Sequence, residues 1–130
     1  TGEAHLDLRD LALPSASVDL VYCCHVLNAM QEDARAMREI HRVLAPGGLA
    51  LLQVPAFEPG PMTVEPEDAA ERLRVFGDEW IFRRYTNEDY RRRLQAAGFV
   101  VGELRARELP RAMVERLQLK DEVLHLCTKA

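Results

Sequence analysis

The stretch VDLVYCCHVLNAMQEDARAMREIHRVLAPGGLALLQVP, Val18–Pro55, constrains the fold more than any other part of the chain. Val18–Cys24 is almost continuously apolar and rich in β-formers, the pattern of a strand covered on both faces, as in a parallel sheet. Glu32–Leu44 then sets Met37, Ile40, His41 and Leu44 on one stripe at helical spacing, with Val43 beside it. Acidic Glu32 and Asp33 come early and Arg42 late, which suits the helix dipole. Pro46-Gly47-Gly48 stops the helix and offers a glycine for a left-handed cap. Leu49–Val54 reads as a second buried strand, ended by Pro55. A parallel pair needs a crossover of about a dozen residues, and this segment supplies it.

Around this unit the remaining signals are local. Ala4–Leu8 is a short apolar stretch, and Leu11–Ser17, with Pro14 and two serines, is a loop. Ala56–Pro66 is proline-rich and irregular, and Glu67–Val75 is helical behind Pro66. Phe76–Tyr85 reads as a loop able to close over a site. Thr86 with Asp89 three residues on resembles a capping box opening the helix Asn87–Ala97, which Gly98 ends. Phe99–Leu104 is a third strand, with a bulge expected at Gly102. A helix over Arg111–Leu119 and a last, antiparallel strand over Glu122–Thr128 at the end of the sheet complete the order. This succession predicts one α/β domain over residues 1–130, with 56–85 as an irregular insertion or lid.

Composition narrows the function classes. A chain of 130 residues, 48% hydrophobic, can bury a core, and its formal charge of −4 argues against a nucleic-acid or anionic-membrane surface. No apolar run approaches the roughly 20 residues that span a bilayer. Cys23, Cys24 and Cys127 are an odd count with two adjacent, which is no disulfide framework. They read as reduced thiols and predict a cytoplasmic location. With His25 and His125 they lack zinc-ligand spacing, so no metal is expected.

In an open α/β sheet, ligands bind beyond the carboxyl ends of the strands. That puts Asp7, Cys24, His25 and Pro55 on one rim. Asp7 either caps the following turn or accepts hydrogen bonds from a ligand. His25 is either a structural hydrogen-bonder or a proton acceptor near neutral pH. His41 and His125 read as packing residues. Arg83-Arg84 and Arg91–Arg93 read as solvated faces, with a grip on an acidic substrate as the alternative for Arg83-Arg84. No Ser-His-Asp order, HExxH or Walker loop occurs, and no GxG follows a strand.

"DLRDLALPSASVDLVYCCHVLNAM", "REIHRVLAPGGLALLQVP" and "RRLQAAGFVV" resemble the class I S-adenosylmethionine-dependent methyltransferases, most closely the type 11 branch. The resemblance implies a partial Rossmann-like sheet, mainly parallel with an antiparallel last strand and helices on both faces, in the strand order 3-2-1-4-5-7-6. It implies that the chain is the C-terminal part of that fold, without the glycine-rich motif of strand one or the ribose-binding acid of strand two. Residue by residue, Asp7 matches the acid that faces the adenine amino group, and Leu8 supplies the backbone amide near the adenine ring. Cys24 and His25 match the end of strand four, beside the methionine part and the transfer site. His25, or Tyr85 from the lid, would relieve the acceptor of its proton, and Asp19 is structural. Asn28-Ala29 departs from the Glu-His of many relatives, and Trp80-Ile81-Phe82 from a more polar stretch.

The expected cofactor is S-adenosylmethionine in the complete protein, with weak or absent binding in this chain. The expected partner is a small-molecule methyl acceptor of unknown identity, with no nucleic acid and no membrane. A non-catalytic interaction or dimerisation module is the alternative. Without strands one and two, Val18–Cys24 becomes a bare apolar edge, which predicts a homodimer through that strand.

Overall fold

The computed structural model describes residues 5–58, 60–118 and 123–130. The predicted crossover is present. Strand β1, Val18–Cys24, leads through a 3-10 turn, Leu27–Ala29, into α1, Asp33–Val43. Strand β2, Leu44–Gln53, then runs parallel to β1, with Leu20 opposite Leu49 and Cys24 opposite Gln53. There is no glycine-capped loop between α1 and β2. The helix ends on Leu44 in extended conformation (φ −68°, ψ 130°), and the chain continues directly as strand. The pairing is irregular between Val18 and Leu20, and this irregularity accommodates Ala45–Gly48. Gly47 takes its positive φ there, and its N–H donates to Lys129 O.

The segment after β2 is more ordered than its prolines suggest. Strand β3, Ala56–Glu58, pairs in parallel with β4, Tyr85–Thr86, and a bridge joins Val64 to Arg84. Between them lies α2, Ala69–Phe76, capped by Asp68 rather than by Pro66: the Asp68 carboxylate accepts from Glu71 N at 2.8 Å. Helix α3, Asn87–Ala96, begins as expected at Thr86, whose hydroxyl accepts from Asp89 N at 3.1 Å. The return half of the capping box is absent, because the Asp89 carboxylate is turned to Arg93 and Thr63.

Strand β5, Val100–Arg105, a short helix α4, Arg111–Leu117, and β6, Val123–Thr128, complete the chain. The main sheet has the order β1-β2-β6-β5. Strand β6 is antiparallel to both of its neighbours, so β1, β2 and β5 share one direction. The last strand is therefore antiparallel but inserted between β2 and β5, and β5 forms the sheet's end. This is the 4-5-7-6 portion of the order implied by the resemblance. Glu122 and Leu119, included in the expected last strand and helix, lie at positions outside the described residues.

The core lies on one face of the sheet. Ala36, Met37 and Ile40 of α1 and Tyr90 and Leu94 of α3 pack against Cys23, Ala50, Leu52 and Cys127. Tyr90 also donates its phenol proton to Leu52 O at 2.8 Å. Helical cover was expected on both faces. On the opposite face Leu20 (60% exposed) and Tyr22 (70%) stand in solvent, with Leu124 also exposed. Among the described residues, β1 has β2 as its single sheet neighbour.

Candidate active site at the carboxyl rim of the sheet

Strand β1 delivers Cys24 and His25 to the rim. Cys23 is buried and burial pushes its thiol up to about 11, whereas Cys24 faces solvent. Alternation along the strand produces this difference. His25 leaves the strand with φ 56°, a left-handed conformation uncommon outside glycine. Its N–H donates to Gln53 O at 2.7 Å, continuing the ladder while the chain turns away. Its ring is exposed. Backbone outliers of this kind concentrate at functional sites.

Asp7 stands in a short turn closed by the bond from Asp10 N to Asp7 O at 3.0 Å. Arg9 holds its carboxylate with both backbone and guanidinium, at 2.8 to 3.0 Å. These bonds keep the exposed carboxyl ionised, with its pKa lowered to about 2 by the Arg9 guanidinium first and its N–H second. Arg35 also acts on Asp7, and Glu32 on Arg9. Those two flank the start of α1, so the turn lies on the rim where β1 ends. Leu8 is half-buried against the core. The loop that follows is fixed to α1: Leu11 N donates to Glu39 Oε2 at 2.7 Å, and Arg42 donates to Leu11 O and Leu13 O.

Two expectations about the lid change. Arg83 is neither solvated nor available to a substrate: it is 3% exposed and donates to the carbonyls of Leu27 (2.8 Å), Met30 and Gln31 (2.9 Å). It caps the carbonyls of the turn after β1. Tyr85 is fully buried, and its phenol donates to Asp33 Oδ2 at 2.7 Å. Burial, with the Asp33 charge next, raises its pKa well above the ordinary value, so it is no base for an acceptor. Arg93 donates to the same Asp33 oxygen at 2.9 Å and also grips Glu65 and Asp89. This network joins the insertion to α1 and α3.

The segment between Phe76, the last residue of α2, and Tyr85, the first of β4, is tied to the turn after β1. Phe82 N and Arg83 N both donate to Asn28 O, at 2.9 and 3.3 Å. Beside this contact lies a half-open pocket of about 190 Å³, lined by Asn28, Pro55, Phe76, Ile81, Arg83 and Arg84. Asn28 and Ile81 were not among the expected site residues. Their signal was the departure from the usual Glu-His and from the polar stretch before Arg83. Among the described residues no group of three or more His, Cys, Asp or Glu is placed to hold a metal ion, and no helix is long and apolar enough to cross a membrane.

Residues 3–52 match the family described as a methyltransferase domain. The fold and the sequence motifs agree. The chain resembles the class I S-adenosylmethionine-dependent methyltransferases and has their fold. Over 59 residues it is 41% identical to a protein of Mycolicibacterium smegmatis described as "Probable S-adenosylmethionine-dependent methyltransferase", a match covering 43% of this chain and 23% of that relative. A chain in the complex of the Haloferax volcanii Trm112 methyltransferase activator superposes with a TM-score of 0.64 at 22% identity, covering 94% of this chain and 58% of that one. The S-adenosylmethionine dependent methyltransferase from Mesorhizobium loti superposes with a TM-score of 0.61 at 21% identity, covering 95% of this chain and 67% of that one. The chain thus spans about a quarter of its curated relative and about three-fifths of the first of these structures.

Proposed function

We propose that the protein to which this chain belongs transfers a methyl group from S-adenosylmethionine to a small-molecule acceptor. The observation that carries this reading is the combination of methyltransferase-like residues 3–52 with a β1-β2-β6-β5 sheet that presents His25 at its carboxyl rim. Bound S-adenosylmethionine would supply an electrophilic methyl group on a sulfonium centre. The rim residues fit such a group in kind: an exposed carboxylate at Asp7, its pKa lowered to about 2 by Arg9, can accept from an adenine amine, and Leu8 offers a backbone amide beside it. Cys24 and His25 stand at the strand end where the sulfonium part belongs.

Displacement at a methyl carbon depends chiefly on position. The chain contributes that position through the rigid β1–β2 pair and the Arg83 cap. In this reading His25 takes the acceptor's proton at an exposed imidazole nitrogen. Cofactor affinity of the chain alone is weak, since the rim contributes few polar partners. Free thiols support a cytoplasmic location, and the exposed Leu20 and Tyr22 on an edge strand support association of two copies through β1.

Titration calorimetry with S-adenosylmethionine tests the cofactor assignment. Asp7→Ala should lower the affinity about tenfold, the effect of one charge-assisted hydrogen bond. Equal affinity in the variant removes Asp7 from the site. Failure of the full-length protein to bind S-adenosylmethionine overturns the reading.

A further inference from the structure

One short segment of the insertion, residues 61–65, is held to the body mainly by polar contacts. Met62 is 77% exposed and Val64 44%, so the segment buries little apolar surface. Its attachments are of three kinds. Thr63 donates its hydroxyl proton to Asp89 Oδ2. Val64 and Arg84 exchange backbone bonds: Val64 N donates to Arg84 O at 3.0 Å, and Arg84 N to Val64 O at 2.9 Å. The Glu65 carboxylate accepts from Arg93 and, at 3.4 Å, from Arg83 Nε. A segment fixed this way belongs to the low-stability end of a structure.

The ends of the segment suit a lever. Gly60 has φ +113°, and a Cβ there would meet nothing within 4 Å, so its dihedrals can change without a clash. Pro61 and Pro66 stiffen the two ends. The rest of the insertion has anchors of its own. Phe82 N and Arg83 N donate to Asn28 O, the Arg83 guanidinium donates to the carbonyls after β1, and Arg72 Nε donates to Glu79 O at 2.7 Å.

The ion pairs also let the segment leave. Arg93 meets Asp33, Asp89 and Glu65, and of these Glu65 is the most exposed, 40% against 9% and 15%. Arg83 and Arg93 together face these three carboxylates. Arg92 reaches Asp89 at 3.8 Å but has a closer partner in Glu88 at 3.1 Å, so it adds one charge of each sign. Without Glu65 the two signs balance, and its departure strands no buried cation. The exposed ion pair is the weak kind, and salt screens it.

We infer that residues 61–65 form a strap that opens about Gly60 while the rest of the fold stays closed, with Glu65 as its latch, and that the strap gates the half-open pocket through Arg84. Arg84 lines that pocket, and its main chain is the part bonded to the strap. Its guanidinium carbon lies 5.2 Å from the centre of the Phe76 ring, so a shift of Arg84 disturbs a second lining residue. The gate concerns access to the pocket and stands without the transfer reading.

Native-state hydrogen exchange reads the strap at the Val64 and Arg84 amides. Both should exchange at one common rate, faster than Leu94 in α3. Glu65→Gln should speed both about fivefold, the upper end for one part-exposed ion pair, and leave Phe82 unchanged. Sodium chloride at about 0.5 M should speed both in the unaltered chain and have little effect on the variant. Relaxation dispersion at the Ile81 methyl should show microsecond-to-millisecond exchange that grows in Glu65→Gln. Val64 and Arg84 amides as slow as Leu94, or indifferent to Glu65→Gln, overturn the strap. Faster amides with an unchanged Ile81 methyl overturn the gate.

Discussion

Tyr85 donates its phenol proton to Asp33 Oδ2 at 2.7 Å, joining residues 52 positions apart at the centre of the buried polar network. Arg93 shares that oxygen, and Arg83 approaches it at 3.6 Å. Tyr85→Phe deletes one bond and leaves Asp33 with its arginines, so it should cost about 1 kcal/mol in urea unfolding. Arg83→Met strands Asp33 beside one fewer cation and uncaps three carbonyls. It should cost about 3 kcal/mol or more. A smaller loss for Arg83→Met than for Tyr85→Phe would show that the arginine does not hold the turn.

The same network shows where local sequence reading ended. Strand β1 was legible to the residue, because an apolar run is bounded by Ser17 and by the turn at His25. The helices α1 and α3 were legible from stripe and cap. Arg83 was not, since its partners are carbonyls of Leu27, Met30 and Gln31, which no pattern around residue 83 encodes. Strands β3 and β4 span three and two residues and exist only through each other. The early start of β2 depends in part on Gly47 N meeting Lys129 O, a contact from the far end of the chain. At the rim, Asp7 and His25 were legible as positions; the hold of Phe82 N and Arg83 N on Asn28 O needed the fold.

Acid should weaken the fold through His125. It is 1% exposed, neither ring nitrogen has a partner among the described residues, and the Tyr90 ring meets it edge-on at 4.7 Å. Burial lowers its pKa from 6.5 to about 4. Between those values the unfolded chain binds the proton and the folded chain does not, so stability rises with pH across the window. The contribution is complete above about 6.5 and is lost as pH falls toward about 4. It amounts to about 3 kcal/mol at ~1.4 kcal/mol per pH unit. Urea midpoints from pH 4 to 7 should show this slope, and His125→Phe should flatten it. An unchanged slope in the variant would assign the acid sensitivity to other groups.

The three thiols should separate by reactivity. Only the thiolate attacks. Cys23 is raised to about 11 and Cys127 to about 12 by burial, while Cys24 is exposed. Iodoacetamide at pH 8 should add a single label in the native chain and three in denaturant, with peptide mapping placing the native label on Cys24. Rapid native labelling of Cys127 would mean that the β2–β6 ladder opens on the labelling timescale.

Gly47 and Gly48 are adjacent and should respond to alanine for different reasons. A Cβ on Gly48 would lie 2.8 Å from both Ala45 O and Leu44 Cδ1, within the irregularity that lets β2 start directly from α1. Backbone must move, and overpacking of this kind costs about 1–3 kcal/mol. A Cβ on Gly47 meets nothing within 4 Å, so its penalty is only that of φ +79° in an L-residue, about 1 kcal/mol. Gly48→Ala should therefore be the more destabilising in thermal unfolding. It should also weaken protection of the Leu49–Leu51 amides against hydrogen exchange, because those residues pair with β1 and β6 just beyond the irregularity. Equal losses for the two variants, with exchange unchanged, would mean that the start of β2 relaxes freely around the added methyl group.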